Sequence, residues 1–275
     1  MFRKFASLAL FLLLVGSALS SQAQRVRAAV SPADDQTCTF NFASGVNNTI
    51  LHFCVATTGN ITQIETPQGH EQLDQGFGTD GYGICDANVP ASYFDYGVVD
   101  GDTGNWLEPT LLSKTSTSVK IARTTSDGIW TLTQTISIVP ATPGIKIVMA
   151  LKNNSGAAKT AYLVRYADIN VDHNVSGSEA NDFSATRNST AGWLATIPFA
   201  GNFGTGLQLE NVGNSGFGFV SGYAQQTFHG PNPCDFAGQS SGTPLVDIDG
   251  SIVLAHVDTI GPHKTKMTTM MYRGF

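Results

Sequence analysis

The chain has 275 residues, with 15 Lys or Arg against 21 Asp or Glu, a formal net charge of −6 at pH 7. That balance, with no local basic run to offset it, excludes an electrostatic nucleic-acid binder, since an acidic surface repels phosphate backbones. The length suits one large or two modest domains, and with no Pro/Ser linker or charge block the expectation is one domain over residues 37–275.

Residues 1–23 read as a secretory signal peptide. Arg3 and Lys4 precede the apolar run Phe5 to Val15, and Ser21-Gln22-Ala23 offers small residues for cleavage. The run is shorter than the roughly 20 residues that span a bilayer, so the expected product is secreted or periplasmic and not membrane-spanning. Residues 24–36 read as a flexible N-terminal segment. All four cysteines, Cys38, Cys54, Cys85 and Cys234, lie beyond the leader, and an even number in an exported chain implies disulfides. Among the three connectivities, Cys38–Cys54 with Cys85–Cys234 is preferred: the first pair flanks two strand-like runs, and the second ties a long central loop to another loop.

From Thr37 to Glu65, short apolar-polar runs (TCTFNFA, ILHFCVA, ITQIE) alternate with turn clusters, the pattern of an antiparallel meander. The stretch Gly76 to Pro109 then lacks both helical and strand periodicity over most of its length and is expected to form a long, disulfide-tied loop. It holds Tyr82, Tyr93, Phe94, Tyr96 and Trp106 beside Asp80, Asp86, Asp95, Asp100, Asp102 and Glu108. Rings beside carboxylates can stack on and hydrogen-bond a sugar, so Tyr82, Tyr93, Tyr96, Asp95, Asp100, Asp102 and Trp106 form the candidate ligand-binding set. The alternative is a packed Ω-loop that buries its own side chains.

Beyond it, Ser118 to Arg123 and Ile129 to Val139 read as a hairpin across Ser126-Asp127-Gly128, where Asp-Gly supplies the positive φ of a tight turn. Trp130, Leu132, Ile136 and Ile138 share one face, and Thr131, Thr133, Thr135 and Ser137 the other, so one side is buried and one meets water. Pro143-Gly144 turns the chain into Ile145 to Leu151, and Asn153 to Gly156 turns it again into a return strand, Thr160 to Val171. Further strands are expected near 183–186, 192–196, 207–210, 217–222, 252–256 and 266–272, and nowhere do apolar residues recur at helical spacing over a dozen positions. The fold class is all-β, an antiparallel β-sandwich.

The unit Ile145 to Asp172, IKIVMALKNNSGAAKTAYLVRYADINVD, resembles the hairpins of galactose-mutarotase-like supersandwich domains, and the chain as a whole is similar to exported bacterial β-sandwich proteins. The resemblance implies a supersandwich-like fold and, by extension, a carbohydrate-active enzyme of epimerase or lyase type. The family's catalytic pattern, a histidine pair with a glutamate base, finds no residue-by-residue match here.

Asp168, Asn170 and Asp172 fall at i, i+2 and i+4 on the expected strand end, so all three would point to one face and offer oxygens to Ca²⁺. The spacing resembles the start of an EF-hand loop, with Glu179 in place of its last ligand, but His173 stands where that loop requires glycine. Of the six histidines, His70 with Glu71 precedes the central stretch, and His229 lies near Cys234; a histidine and carboxylates sharing one cleft could do acid-base chemistry. Gly76-x-Gly78-x-x-Gly81 and Gly238-x-Ser240-x-Gly242 match dinucleotide and nucleophile-elbow spacings without the strand-turn-helix that either needs. The leading expectation is a non-catalytic carbohydrate-binding protein with a glycan ligand; the alternatives are a carbohydrate-active enzyme and a structural surface or matrix protein.

Overall fold

The computed structural model describes residues 37–73, 80–96, 102–139, 142–177, 180–185, 192–196, 205–212, 217, 219–225, 232–236 and 244–274. The expected leader and the segment 24–36 lie outside these residues, as do Asp100, Glu179, His229, the Gly238 to Gly242 motif and the first two glycines of the Gly76 motif.

Three strands, β1 (Phe40–Ser44), β2 (Leu51–Val55) and β3 (Ile61–Glu65), form the expected meander as a three-stranded sheet. The next are β4 (Asp80–Asp86), β5 (Ala91–Asp95), β6 (Thr110–Lys114), β7 (Ser118–Thr124), β8 (Trp130–Val139), β9 (Gly144–Asn153) and β10 (Lys159–Asp168). After a single helical turn at His173–Ser176 come β11 (Ala180–Ala185), β12 (Gly192–Thr196), β13 (Gly206–Asn211), β14 (Phe219–Gln225), β15 (Leu245–Asp249), β16 (Ser251–Ile260) and β17 (Thr265–Gly274). A five-stranded sheet runs β14-β16-β10-β4-β5, and a nine-stranded sheet runs β15-β11-β12-β13-β17-β9-β8-β7-β6.

The two larger sheets face each other across one apolar core, to which alternate residues of β8 (Trp130, Leu132, Ile136) and β9 (Ile145, Ile147, Met149) contribute. Strand β17 is the keystone of the large sheet, pairing with β13 on one side and β9 on the other. The expected hairpin between Ile145–Leu151 and its return strand is instead a crossing between sheets. Both edges of β9 are taken by β8 and β17, while β10 pairs with β4 and β16. The Asn153 side chain fixes the crossing, donating to the carbonyls of Ala157 (2.7 Å) and Ile260 (2.9 Å) and accepting from the Ser155 N–H (2.9 Å).

The long central loop also requires correction, because residues 80–95 are a paired β4–β5 hairpin at the edge of the five-stranded sheet. Every residue of β4 is buried, so the strand has no wet face and shows no period of two. Its glycines are there for close packing: a Cβ on Gly81 would collide with the backbone of Asp95 and Tyr96, and one on Gly83 with Pro233. Both expected disulfides are present, Cys38–Cys54 stapling the N-terminal strand and Cys85–Cys234 tying β4 to a short 3-10 turn, Pro233–Phe236. That turn roofs the far side of the five-stranded sheet, where Phe236 packs with Tyr96, Val164, Tyr166, Val253 and Ala255. Two structural disulfides fit an oxidising compartment. No helix among the described residues is long and apolar enough to cross a membrane.

Candidate functional site

Of the ring-and-acid set, Tyr82, Tyr93, Asp95 and Trp106 are brought together inside the protein, Asp102 is half-buried beside them, and Asp100 lies outside the described residues. Tyr82, Tyr93 and Trp106 are buried between the sheets, with Tyr82 edge-on to Trp106 at 5.4 Å and Tyr93 at 6.5 Å. Tyr96 lies on the opposite side of the five-stranded sheet, stacked on Phe94 at 5.0 Å and tilted against Tyr166 at 4.8 Å. The Asp95 carboxylate is fully buried and pairs with Arg123, a residue the sequence reading did not single out; Asn60 Nδ2 donates to its other oxygen at 2.7 Å. Arg123 also donates to the Tyr82 hydroxyl (2.9 Å) and lies 5.3 Å from the centre of the Trp106 ring. Asp102 bridges Asp95 through the backbone and accepts the Gly104 N–H at 2.7 Å; burial, reinforced by the Asp95 charge, raises its carboxyl above the ordinary range. These rings therefore present no stacking face to solvent.

A second polar knot sits beside the first. Arg165 grips Asp80 through Nε (2.6 Å to Oδ2) and Nη2, and its Nη1 donates to Gln134 Oε1 at 2.6 Å. The Tyr272 hydroxyl (2.6 Å) and the Ile61 N–H (2.9 Å) complete the Asp80 carboxylate. Arg165, Tyr82 and Asp95 are cross-strand neighbours on β10, β4 and β5, so both knots belong to one band running through the core. The sequence signal for it was an ion or amide in the apolar phase of an alternating strand: Arg123 follows Val119 and Ile121, Arg165 follows Leu163, and Gln134 stands between Leu132 and Ile136.

The expected cation set does not keep its alternation. Strand β10 ends at Asp168, and Asp172 adopts a left-handed conformation (φ 59°) at the start of the helical turn. Asp172 turns to His70, whose Nδ1 lies 2.8 Å from Oδ1, while Asn170 is buried beside Gln72, its N–H on the Gln72 carbonyl at 3.1 Å. Among the described residues, no three His, Cys, Asp or Glu side chains gather in a way that could hold a metal ion.

The turn 66–73 and the turn 169–177 are laced together. The Asp172 N–H donates to the Glu71 carbonyl (2.8 Å), Asn174 Oδ1 accepts the Glu71 N–H (3.0 Å), and Asn174 Nδ2 donates to Gly69 O (2.9 Å). The result places His70, Asp172 and Glu71 at one end of the sandwich. His70 is a third exposed, and Glu71 is pushed up from 4.5 to about 7, chiefly by burial and against the Ile64 N–H that its carboxylate accepts. His52 pairs elsewhere, with Asn41 (2.8 Å) and Glu65 (3.4 Å), and His256 is sealed in β16, where burial pushes it down to about 4.

Among the described residues, one broad surface meets solvent, the outer face of the nine-stranded sheet across β7, β8, β9 and the first half of β17, while Met271 and Glu210 farther along are buried. Register places Lys120, Thr135, Val148 and Thr269 side by side across β7, β8, β9 and β17, with Lys146 and Lys152 on the same side of β9. All three lysines are exposed, and the threonines between them are partly so. The outward positions of these four strands include no Asp or Glu. The nearest outward acid, Glu210 on β13, is committed to Arg273 and to Gln208 Nε2 (2.6 Å).

The sequence matches no protein-family model and no curated protein. In fold the chain is similar to a bacterial glucoamylase complexed with acarbose, at TM-score 0.54 and 11% identity over 88% of this chain and 33% of that one. It is also similar to a galactose mutarotase-like protein from Lactobacillus casei ATCC 334, at TM-score 0.54 and 8% identity over 86% of this chain and 100% of that one. The chain thus spans about a third of the glucoamylase and the whole of the mutarotase-like protein. At these identities the fold is what is shared: the likeness is one of overall architecture, while the unit Ile145 to Asp172 is a crossing between sheets and not the expected hairpin.

Proposed function

We propose that the protein is a carbohydrate-binding β-sandwich whose ligand lies across the outer face of the nine-stranded sheet. The observation that carries the reading is that face itself: broad, open to solvent among the described residues, and lined by hydroxyls on β8 and β17 that can exchange hydrogen bonds with sugar hydroxyls. The fold is shared with a glucoamylase and a mutarotase-like protein, both named for work on sugars, which supports a saccharide over other ligands. A glycan array probed with the purified protein and with Thr133→Tyr/Thr135→Tyr tests it. The expected outcome is binding by the parent protein and its reduction when bulky rings break up the hydroxyl row. Silence of the parent across the array would remove the proposal.

A second reading, an enzyme of epimerase or lyase type, is favoured by one specific geometry. His70 and Asp172 stand 2.8 Å apart with His70 a third exposed, and burial raises Glu71 in the same turn to about 7, within the range useful to general acid-base chemistry. Measured on mono- and oligosaccharides, turnover that is lost in both His70→Ala and Glu71→Gln would establish it; absence of turnover leaves the binding reading alone.

A further inference from the structure

The face assigned to the ligand carries a charge opposite to that of the chain. On a protein of net charge −6, the strands β7, β8, β9 and β17 present Lys120, Lys146, Lys152 and Arg273 outward and no acid, and among the described residues the one neutralising contact is that of Glu210 with Arg273. Among the described residues the three lysines take part in no ion pair, whereas Lys159 (2.5 Å from Asp86) and Lys266 (2.9 Å from Asp258), at the end of the sandwich, are both paired. With strands about 4.8 Å apart and alternate residues about 6.8 Å apart, Lys120 and Lys146 are separated by roughly 12 Å and Lys146 and Lys152 by roughly 20 Å at Cα. Such spacing is too wide for one small anion to bridge, and it suits a polymer with charges repeated along its length.

Resting on the glycan reading above, we propose that the ligand is an acidic polysaccharide, bearing carboxylate or sulfate groups, that lies across β7, β8, β9 and β17 with its anions on Lys120, Lys146 and Lys152. Two features choose this class. No outward residue of these strands is aromatic, so a neutral sugar would find no ring to stack on and would depend on threonine hydroxyls that already hydrogen-bond water well. The same lack of rings disfavours a single-stranded nucleic acid, whose bases gain much of their affinity from stacking. Lysine offers a mobile point charge with three donors and no fixed fork, which fits recognition of charge density along a polymer better than capture of one oriented group.

The test is binding of the purified protein, by calorimetry, to two neutral polymers (dextran and laminarin), three acidic ones (polygalacturonate, alginate and chondroitin sulfate) and single-stranded DNA, repeated with Lys120→Gln/Lys146→Gln/Lys152→Gln. The expected result is binding to at least one acidic glycan, weakened by salt and at least about tenfold weaker in the triple variant, as loss of several linked contacts should produce. Thermal unfolding of the variant should match the parent, which keeps a folding defect from imitating the effect. Binding to neutral polymers alone would overturn the acidic assignment and leave the glycan reading standing; no binding to any glycan would remove both. DNA bound as tightly as the acidic glycans would overturn the assignment in favour of an unselective polyanion surface.

Discussion

The two faces of the nine-stranded sheet put polar side chains to opposite use on the same strands. Inward, Arg123 of β7, Gln134 of β8 and Tyr272 of β17 are enclosed and matched to Asp95, Arg165 and Asp80. Outward, one to three residues away, Lys120, Thr135 and Thr269 meet solvent. A buried charge must be paired, since desolvating it alone costs several kcal/mol, and once paired it is unavailable to a ligand. An exposed lysine pays no such penalty and can stay uncommitted. Charge inside this protein is therefore architecture, whereas on the outer face Lys120, Lys146 and Lys152 take part in no ion pair among the described residues.

The contrast breaks most visibly at Arg165. Arg165→Met leaves Asp80 buried without its cation and should lower unfolding free energy by about 3–5 kcal/mol, read from the urea midpoint. Asp80→Leu with Arg165→Met should recover part of that loss, because no lone charge remains. A difference of packing gives the next effect. Gly81→Ala forces a methyl into the Asp95 backbone and should cost about 1–3 kcal/mol, whereas Gly156→Ala, with nothing within 4 Å of the added carbon, should change stability by less than about 0.5 kcal/mol.

Buried titrating groups sharpen the comparison further. Glu71 is raised from 4.5 to about 7, so between those values the folded chain holds a proton that the unfolded chain has released, and stability falls as pH rises through that window. His256, lowered from 6.5 to about 4, acts in the opposite sense, and its share of stability grows as pH rises from about 4 to 6.5. The two oppose each other in the parent protein. Glu71→Gln should unmask the histidine, so that thermal midpoints of the variant climb between pH 4 and 6.5 more steeply than those of the parent. Smallest of all is Lys120→Gln, expected to shift the unfolding midpoint by no more than about 0.5 kcal/mol while lowering glycan affinity.

Much of the architecture could be read from the residues. Both cysteine pairs follow from spacing and compartment, and the edge-to-edge alternation of Trp130 to Ile138 fixes the orientation of β8. The β4–β5 hairpin was hidden because β4 is buried on both faces and glycine-rich, which erases the alternating pattern that marks a strand. The rings of the candidate ligand set and Asp95 lie in the core for a related reason: aromatic rings and acids cluster in sequence whether they line a cleft or fill a core, and here Asp95 pairs with Arg123, distant in sequence. The cationic outer face was illegible in the opposite way. Lys120, Lys146 and Lys152 are scattered among apolar and hydroxyl residues, and only strand register assembles them.

The central place of β17 has a consequence for biosynthesis. This strand, made last among those described, joins the β6–β9 half of the large sheet to the half containing β11–β13 and β15. While residues 265–274 are still inside the ribosome, β9 and β13 each emerge with a bare edge able to pair with the wrong neighbour. Closure of the large sheet therefore waits on β17, with a period of vulnerability to misassembly that a holding chaperone would relieve.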